Sequence, residues 1–140
     1  MSVRTQNLDA VGAVYATFDI YQNVGLDELD DDDIGKAVTM TGSYECGFGS
    51  DGGVLLGKLV AISPTNGGNG ERKATVQVAG IMTLPMVETN PTGGNRVVVD
   101  GSGSIKQAPA LGGNDPAGGN VGRGTVIAVN GTSSATLILN

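Results

Sequence analysis

The chain has 140 residues, a net charge of −6, one cysteine, no histidine and no tryptophan. Cys46 cannot close an intramolecular disulfide, no apolar run approaches the roughly 18 residues of a membrane span, and MSVRTQNLDA lacks the basic-then-apolar order of a secretory signal. Its 24 glycines follow no three-residue period, which excludes a collagen-like chain and leaves one domain of ordinary size, with the cytoplasm as the expected site of synthesis.

Residues 1–33 differ in kind from the rest. Tyr15, Phe18 and Tyr21, three of the five aromatics, fall here, and residues 1–51 hold ten acids against Arg4 and Lys36. Val11, Val14, Tyr15, Phe18 and Tyr21 would share one face of a helix, yet the valine, threonine and aromatic content fits an extended strand equally well. The segment is expected either to complete the core of the domain that follows or to lie on a neighbour as an N-terminal arm. LDELDDDDIGK then supplies the one dense charge cluster. Counted as a calcium loop from Asp30, it has Asp32 at the third place but Ile34 at the fifth and Thr41 at the twelfth, so the ligand pattern fails. Mutual repulsion predicts a hydrated connector, with a basic partner surface or an adventitious divalent ion as the alternatives.

From residue 34 onward the pattern is short strands with glycine-rich punctuation. The expected strands cover residues 37–42, 43–48, 54–62, 74–85, 95–100, 104–107, 124–130 and 134–140. Asp100-Gly101 and Asn130-Gly131 tolerate the positive φ of hairpin turns. Val97 to Val99 and Leu137 to Leu139 are continuously apolar, which predicts cover on both faces from the chain itself or from a neighbouring subunit. Residues 63–72 and 108–120 read as surface loops. Regular short strands with such turns predict an all-β fold, a small antiparallel barrel or else a sandwich, because closing a barrel removes the exposed edges that invite aggregation. The domain reading is an arm and acidic connector over 1–33 and a barrel over 34–140.

Motifs of catalysis are absent. Gly52 to Lys58 spells most of a phosphate loop, but Leu59 stands where a hydroxyl is needed and the interior is Val-Leu-Leu. Gly47 to Gly52 matches a dinucleotide fingerprint without the strand before it and helix after it that would give the match weight. Cys46 has no histidine to activate it, Glu45, Glu71 and Glu88 show no pairing, and no clustered basic face accompanies the aromatics. The expectation is a protein without catalysis, cofactor or metal, and without nucleic-acid or membrane binding.

Over about 105 residues, the order IGKAVTMTG, GGVLLGKLVAIS, ATVQVAGIMTLP, GGNRVVVDGSGSIKQAP and GRGTVIAVNGTSSATLILN resembles the small capsid cement, or head decoration, proteins of tailed bacteriophages. The resemblance implies a compact β-barrel on the virion's capsid exterior that stabilises the head against packaged DNA. It also implies the major capsid protein and further copies of itself, a trimer foremost, as partners. Residues 1–33 extend beyond the family pattern, so Val11, Val14, Tyr15, Phe18, Ile20 and Tyr21, with Asp30, Asp31, Asp32 and Asp33, are the candidate contact residues. The alternative is a fibre-associated adhesion module that binds a host-surface ligand through the glycine-rich loops.

Overall fold

A computed structural model describes residues 8–64, 72–87, 91–109 and 122–140. In chain order they form strands β1 (Val14–Ile20), β2 (Gln22–Asn23) and β3 (Leu26–Asp27), then a single 3-10 turn (Asp31–Asp33). Strands β4 (Ala37–Gly42), β5 (Glu45–Gly47), β6 (Gly57–Ile62) and β7 (Lys73–Pro85) follow, and then β8 (Val97–Val99), β9 (Ile105–Gln107), β10 (Thr125–Asn130) and β11 (Ser134–Leu139). The expected all-β fold is what the chain adopts. Most boundaries fall within two residues of the sequence reading. An exception is the start of β6, where residues 53–56 run as a non-strand approach and Gly57 opens the ladder because a Cβ there would stand 2.0 Å from the Gln77 carbonyl oxygen.

Five strands close a barrel in the order β1-β5-β4-β6-β7 and back to β1. All neighbours are antiparallel except β1 and β5, which run parallel through Asp19 opposite Glu45 and Ile20 opposite Cys46. This corrects the division of the chain at residue 33. Strand β1 is a stave of the barrel, paired with β7 from Val14 opposite Ala79 to Asp19 opposite Lys73, so residues 14–20 complete the core rather than standing off as an arm. Alternation decides which side chains it buries. Ala16, Phe18 and Ile20 turn inward while Thr17 and Asp19 face out, and Ile20 joins Leu29, Val38, Cys46, Leu59, Ala74 and Val76 in the barrel core. Each fully buried aliphatic chain of this set contributes roughly 1.5–3 kcal/mol over an exposed one.

Strand β7 is long enough to serve two sheets. Its first half belongs to the barrel, and its second half, from Gly80 to Pro85, pairs with β11, which pairs in turn with β10. This second layer packs with the β8–β9 hairpin around Met82, Leu84, Val97, Val99, Ile105, Val126 and Leu137. The continuous run Val97 to Val99 is therefore covered within the chain, all three being buried. Within the chain Leu137 to Leu139 is covered on one face only: Leu137 and Leu139 are buried while Ile138 is 40% exposed, the alternation of a one-faced strand.

The passage of β7 between sheets requires a corner, and Gly80 makes it with φ +100°. Carbonyls that leave the ladder at such a bend must find other donors. Gln77, buried at 3% exposure, donates its Nε2 to the carbonyls of Ala79 (3.2 Å) and Ile81 (3.1 Å). Arg123 donates to Val78 (3.2 Å) and, from its other terminal nitrogen, to Leu55 (2.7 Å) and Leu56 (3.0 Å). Burial lowers the pKa of this guanidinium, and no carboxylate pairs with it among the described residues. Its charge is met by carbonyl dipoles from both halves of the fold.

The acidic run does structural work that a hydrated connector would not. Asp30 caps the 3-10 turn by accepting from Asp32 N (2.9 Å), and Asp33 returns the contact by accepting from Asp30 N (3.0 Å). Asp33 is buried and pairs with Lys36 Nζ at 2.8 Å. Burial alone would raise its pKa, but the hydrogen bonds from Lys36 and Asp30 and the lysine charge outweigh it and hold the carboxyl below its ordinary value. A group so depressed stabilises the fold above its unfolded value of about 4 and loses that contribution as pH falls through the folded value. Asp33→Asn is expected to cost about 1–2 kcal/mol at neutral pH. In urea titrations the gap between variant and parent should be constant across neutral pH and close below about pH 4. A gap unchanged at pH 2.5 would contradict the assignment.

Candidate functional site

The described surface offers a cleft of about 720 Å³, a size suited to a peptide side chain or small ligand, and exposed apolar side chains that include one group near each end of β1. The floor of the cleft is β4, with Thr39, Met40 and Thr41. One wall is the β2–β3 hairpin, carrying Tyr21 and Glu28, and the other is the loop from Gly49 to Val54. The loop is well held. Gly52 N donates to Val99 O (2.9 Å), Val99 N donates to Gly53 O (3.0 Å), Thr39 Oγ1 donates to Val54 O, and Lys106 pairs with Asp51 at 2.6 Å. Gly49 fits only as glycine, since a Cβ would stand 2.2 Å from the Thr39 methyl. Glu28 ties the hairpin to the barrel by accepting the Phe48 amide at 2.7 Å, and Glu28 N donates to Tyr21 O.

Beyond Asn23, which lines the cleft, the hairpin ends in Val24 and Gly25, a two-residue turn with φ of +54° and +77°. Such turns demand positive φ at both positions, which Asn-Gly meets and a β-branched residue resists at a cost of about 1–2 kcal/mol. Nothing intramolecular offsets that cost, because Val24 is 94% exposed and Leu26 beside it 73%. Tyr44 repeats the feature at the β4–β5 turn, with φ +58° and 79% exposure.

The candidate contact residues separate under this geometry. Val11, Val14 and Tyr15 stand exposed where β1 begins. Tyr21, also exposed, lies past its other end, roughly 20 Å away by strand rise, in the wall of the cleft. Asp30, Asp31 and Asp32 are exposed, with Asp31 paired to Arg72 at 2.7 Å. Ile20 and Asp33 are buried and Phe18 packs on the barrel core, so these three are not presented to a partner, a correction that follows from the inward register of β1 and from the reciprocal cap. Sequence reasoning missed Val24, Leu26 and Tyr44. The one available signal was a valine in the place of asparagine before Gly25.

The two sequence motifs take structural places. Lys58 stands on β6 between Ala37 of β4 and Gln77 of β7, with no helix following it, and Gly47 to Gly52 runs from β5 into the cleft loop. Cys46 lies in the barrel core, and burial first, then the charges of Glu45, Asp19 and Glu28, push its thiol up to about 12, which keeps it protonated at neutral pH. Residues 63–72 and 108–120, the adhesion loops of the alternative reading, lie mostly outside the described residues, as do Arg4, Glu71 and Glu88. Among the described residues no group of acids or cysteine is arranged to hold a metal, and no helix is long and apolar enough to cross a membrane. No protein-family model and no curated protein matches the chain.

Proposed function

We propose that this protein is a capsid cement component, a non-catalytic part that sits on the outside of a tailed-phage head, bridges copies of the major capsid protein, associates with further copies of itself as a trimer, and stiffens the shell. The observation that carries this reading is the pair of exposed apolar regions on one closed barrel: Val11, Val14 and Tyr15 at one end of β1, and Tyr21, Val24 and Leu26 beyond the other. A rigid body with an adhesive patch at each end joins two neighbours, and a symmetric lattice repeats that join many times, so modest contacts add up to a firm one. The sequence resemblance over residues 34–140 supports the same reading, and the closed barrel leaves few edges through which such a protein would aggregate before it finds its lattice.

Point substitutions test it better than truncation, because removing residues 1–24 would take a stave from the barrel. Val14→Asp with Tyr15→Asp changes only outward side chains and should leave the thermal midpoint nearly unmoved. Burial of the two is worth roughly 1.5–3 kcal/mol each, so the doubly substituted protein should bind expanded empty heads at least about tenfold more weakly in co-sedimentation. Equal binding by parent and variant would remove this end from the contact. Failure of the parent to bind heads at all would overturn the function.

A further inference from the structure

The hairpin end has a chemistry of its own, distinct from that of the β1 patch. Two observations there are independent of each other. The first is backbone strain spent on exposure: Val24, a β-branched residue at φ +54°, is 94% exposed next in the chain to Asn23 of the cleft wall, and Leu26, the strand partner of Asn23, is 73% exposed. Strained residues of this kind cluster at active sites and ligand clamps.

The second is unbalanced charge. No lysine or arginine lines the cleft, whose one carboxylate is Glu28. Asp27, Glu28 and Glu45 form no ion pair among the described residues. Four cations of the described residues are engaged by other acids, Lys36 by Asp33, Arg72 by Asp31, Lys73 by Asp19 and Lys106 by Asp51.

An exposed apolar hairpin beside a cleft whose one charge is negative fits one kind of occupant. We propose that the cleft between the β2–β3 hairpin and residues 49–54 is a docking site for a protein segment that carries a lysine or arginine beside an aliphatic side chain. Val24, Leu26 and Tyr21 take the aliphatic group and Glu28 takes the cation, one of its oxygens being left over from the Phe48 amide. A second copy of this chain fits poorly, since at net charge −6 it brings acids to acids, and nucleic acid is repelled for the same reason. The proposal rests on the function argued above only for where such a segment would be met, on the shell.

The test uses a capped hexapeptide of alternating lysine and leucine, titrated into the isotopically labelled full chain and followed by amide chemical shifts, with a glutamate-leucine hexapeptide as control. Shifts should concentrate in residues 21–28, 39–41 and 49–54, weaken with added salt, and be absent with the acidic peptide. Val24→Asn installs the residue the turn prefers, so it should raise the thermal midpoint by about 3 °C while weakening the peptide about fivefold. Glu28→Gln retains an acceptor for Phe48 N and should remove most of the salt dependence. Shifts spread over the whole acidic surface, equal binding of the acidic peptide, Val24→Asn that leaves binding unchanged, or self-association through the hairpin would each overturn the proposal. Head binding that survives such a result would leave the cement function standing.

Discussion

Arg123→Met is expected to cost about 3 kcal/mol, which for a domain of this size lowers the thermal midpoint by roughly 10 °C. Methionine keeps most of the aliphatic reach and removes every donor. The carbonyls of Leu55, Leu56 and Val78 would then lose the guanidinium that now meets them at 2.7–3.2 Å, in the seam where the barrel meets the second layer. A part-buried carbonyl that loses its charged donor costs about 1 kcal/mol, and three lose it together. Arg123→Lys should recover only part of the loss, because one compact ammonium cannot span carbonyls that two guanidinium nitrogens now divide between them. Calorimetry of the parent and both variants checks this. A fall of under about 2 °C for Arg123→Met would mean that the seam finds other donors, and the arginine would lose its place in the account.

Gly80→Ala should be worse still, at about 4 kcal/mol or more, from two causes that add. A side chain at φ +100° is strained wherever it stands, and here its Cβ would lie 2.7 Å from Gly12 C and 2.8 Å from both Gly12 O and Ala13 N. Backbone stands on that side, so no rotamer relieves the contact. Because Ala10 N donates to Ile81 O and Ile81 N to Val11 O across the same gap, the displaced element is the start of β1, and the barrel opens at its β1–β7 seam. Amide exchange should therefore accelerate first in residues 14–19. Gly131→Ala serves as the control, since it shares a positive φ of +60° but has nothing within 4 Å, and its cost should stay near 1 kcal/mol. Equal effects at the two positions would show that φ strain alone matters and that the close approach at the corner does not.

These two positions also mark how far the sequence could be read. The strands from residue 37 onward were legible because each is bounded by glycine, proline or Asx residues, and turn chemistry acts locally. Strand β1 was not. Its inward set, Ala16, Phe18 and Ile20, alternates as a strand should, but Val11, Val14, Tyr15 and Phe18 also keep helical spacing. What decides between them is the pairing with β7, more than fifty residues away in the chain. Arg123 counted only as one base on a slightly basic back half, and nothing in its neighbours indicated that three distant carbonyls would converge on it. Asp33 could have been found, since Asp30 and Asp33 stand at capping-box spacing, yet the density of acids drew attention to repulsion instead. The cleft is assembled from the hairpin, β4 and residues 49–54, so no linear motif announces it.

The central claim is that the barrel works as a bridging part on a phage head, and electron cryomicroscopy of purified virions tests it most directly. The account predicts barrel-shaped density in many symmetric copies on the outer surface of the head, with Val11, Val14 and Tyr15 buried against a neighbouring protein. Heads that lack the density, a few copies confined to the tail, or copies with Tyr15 facing solvent would contradict it.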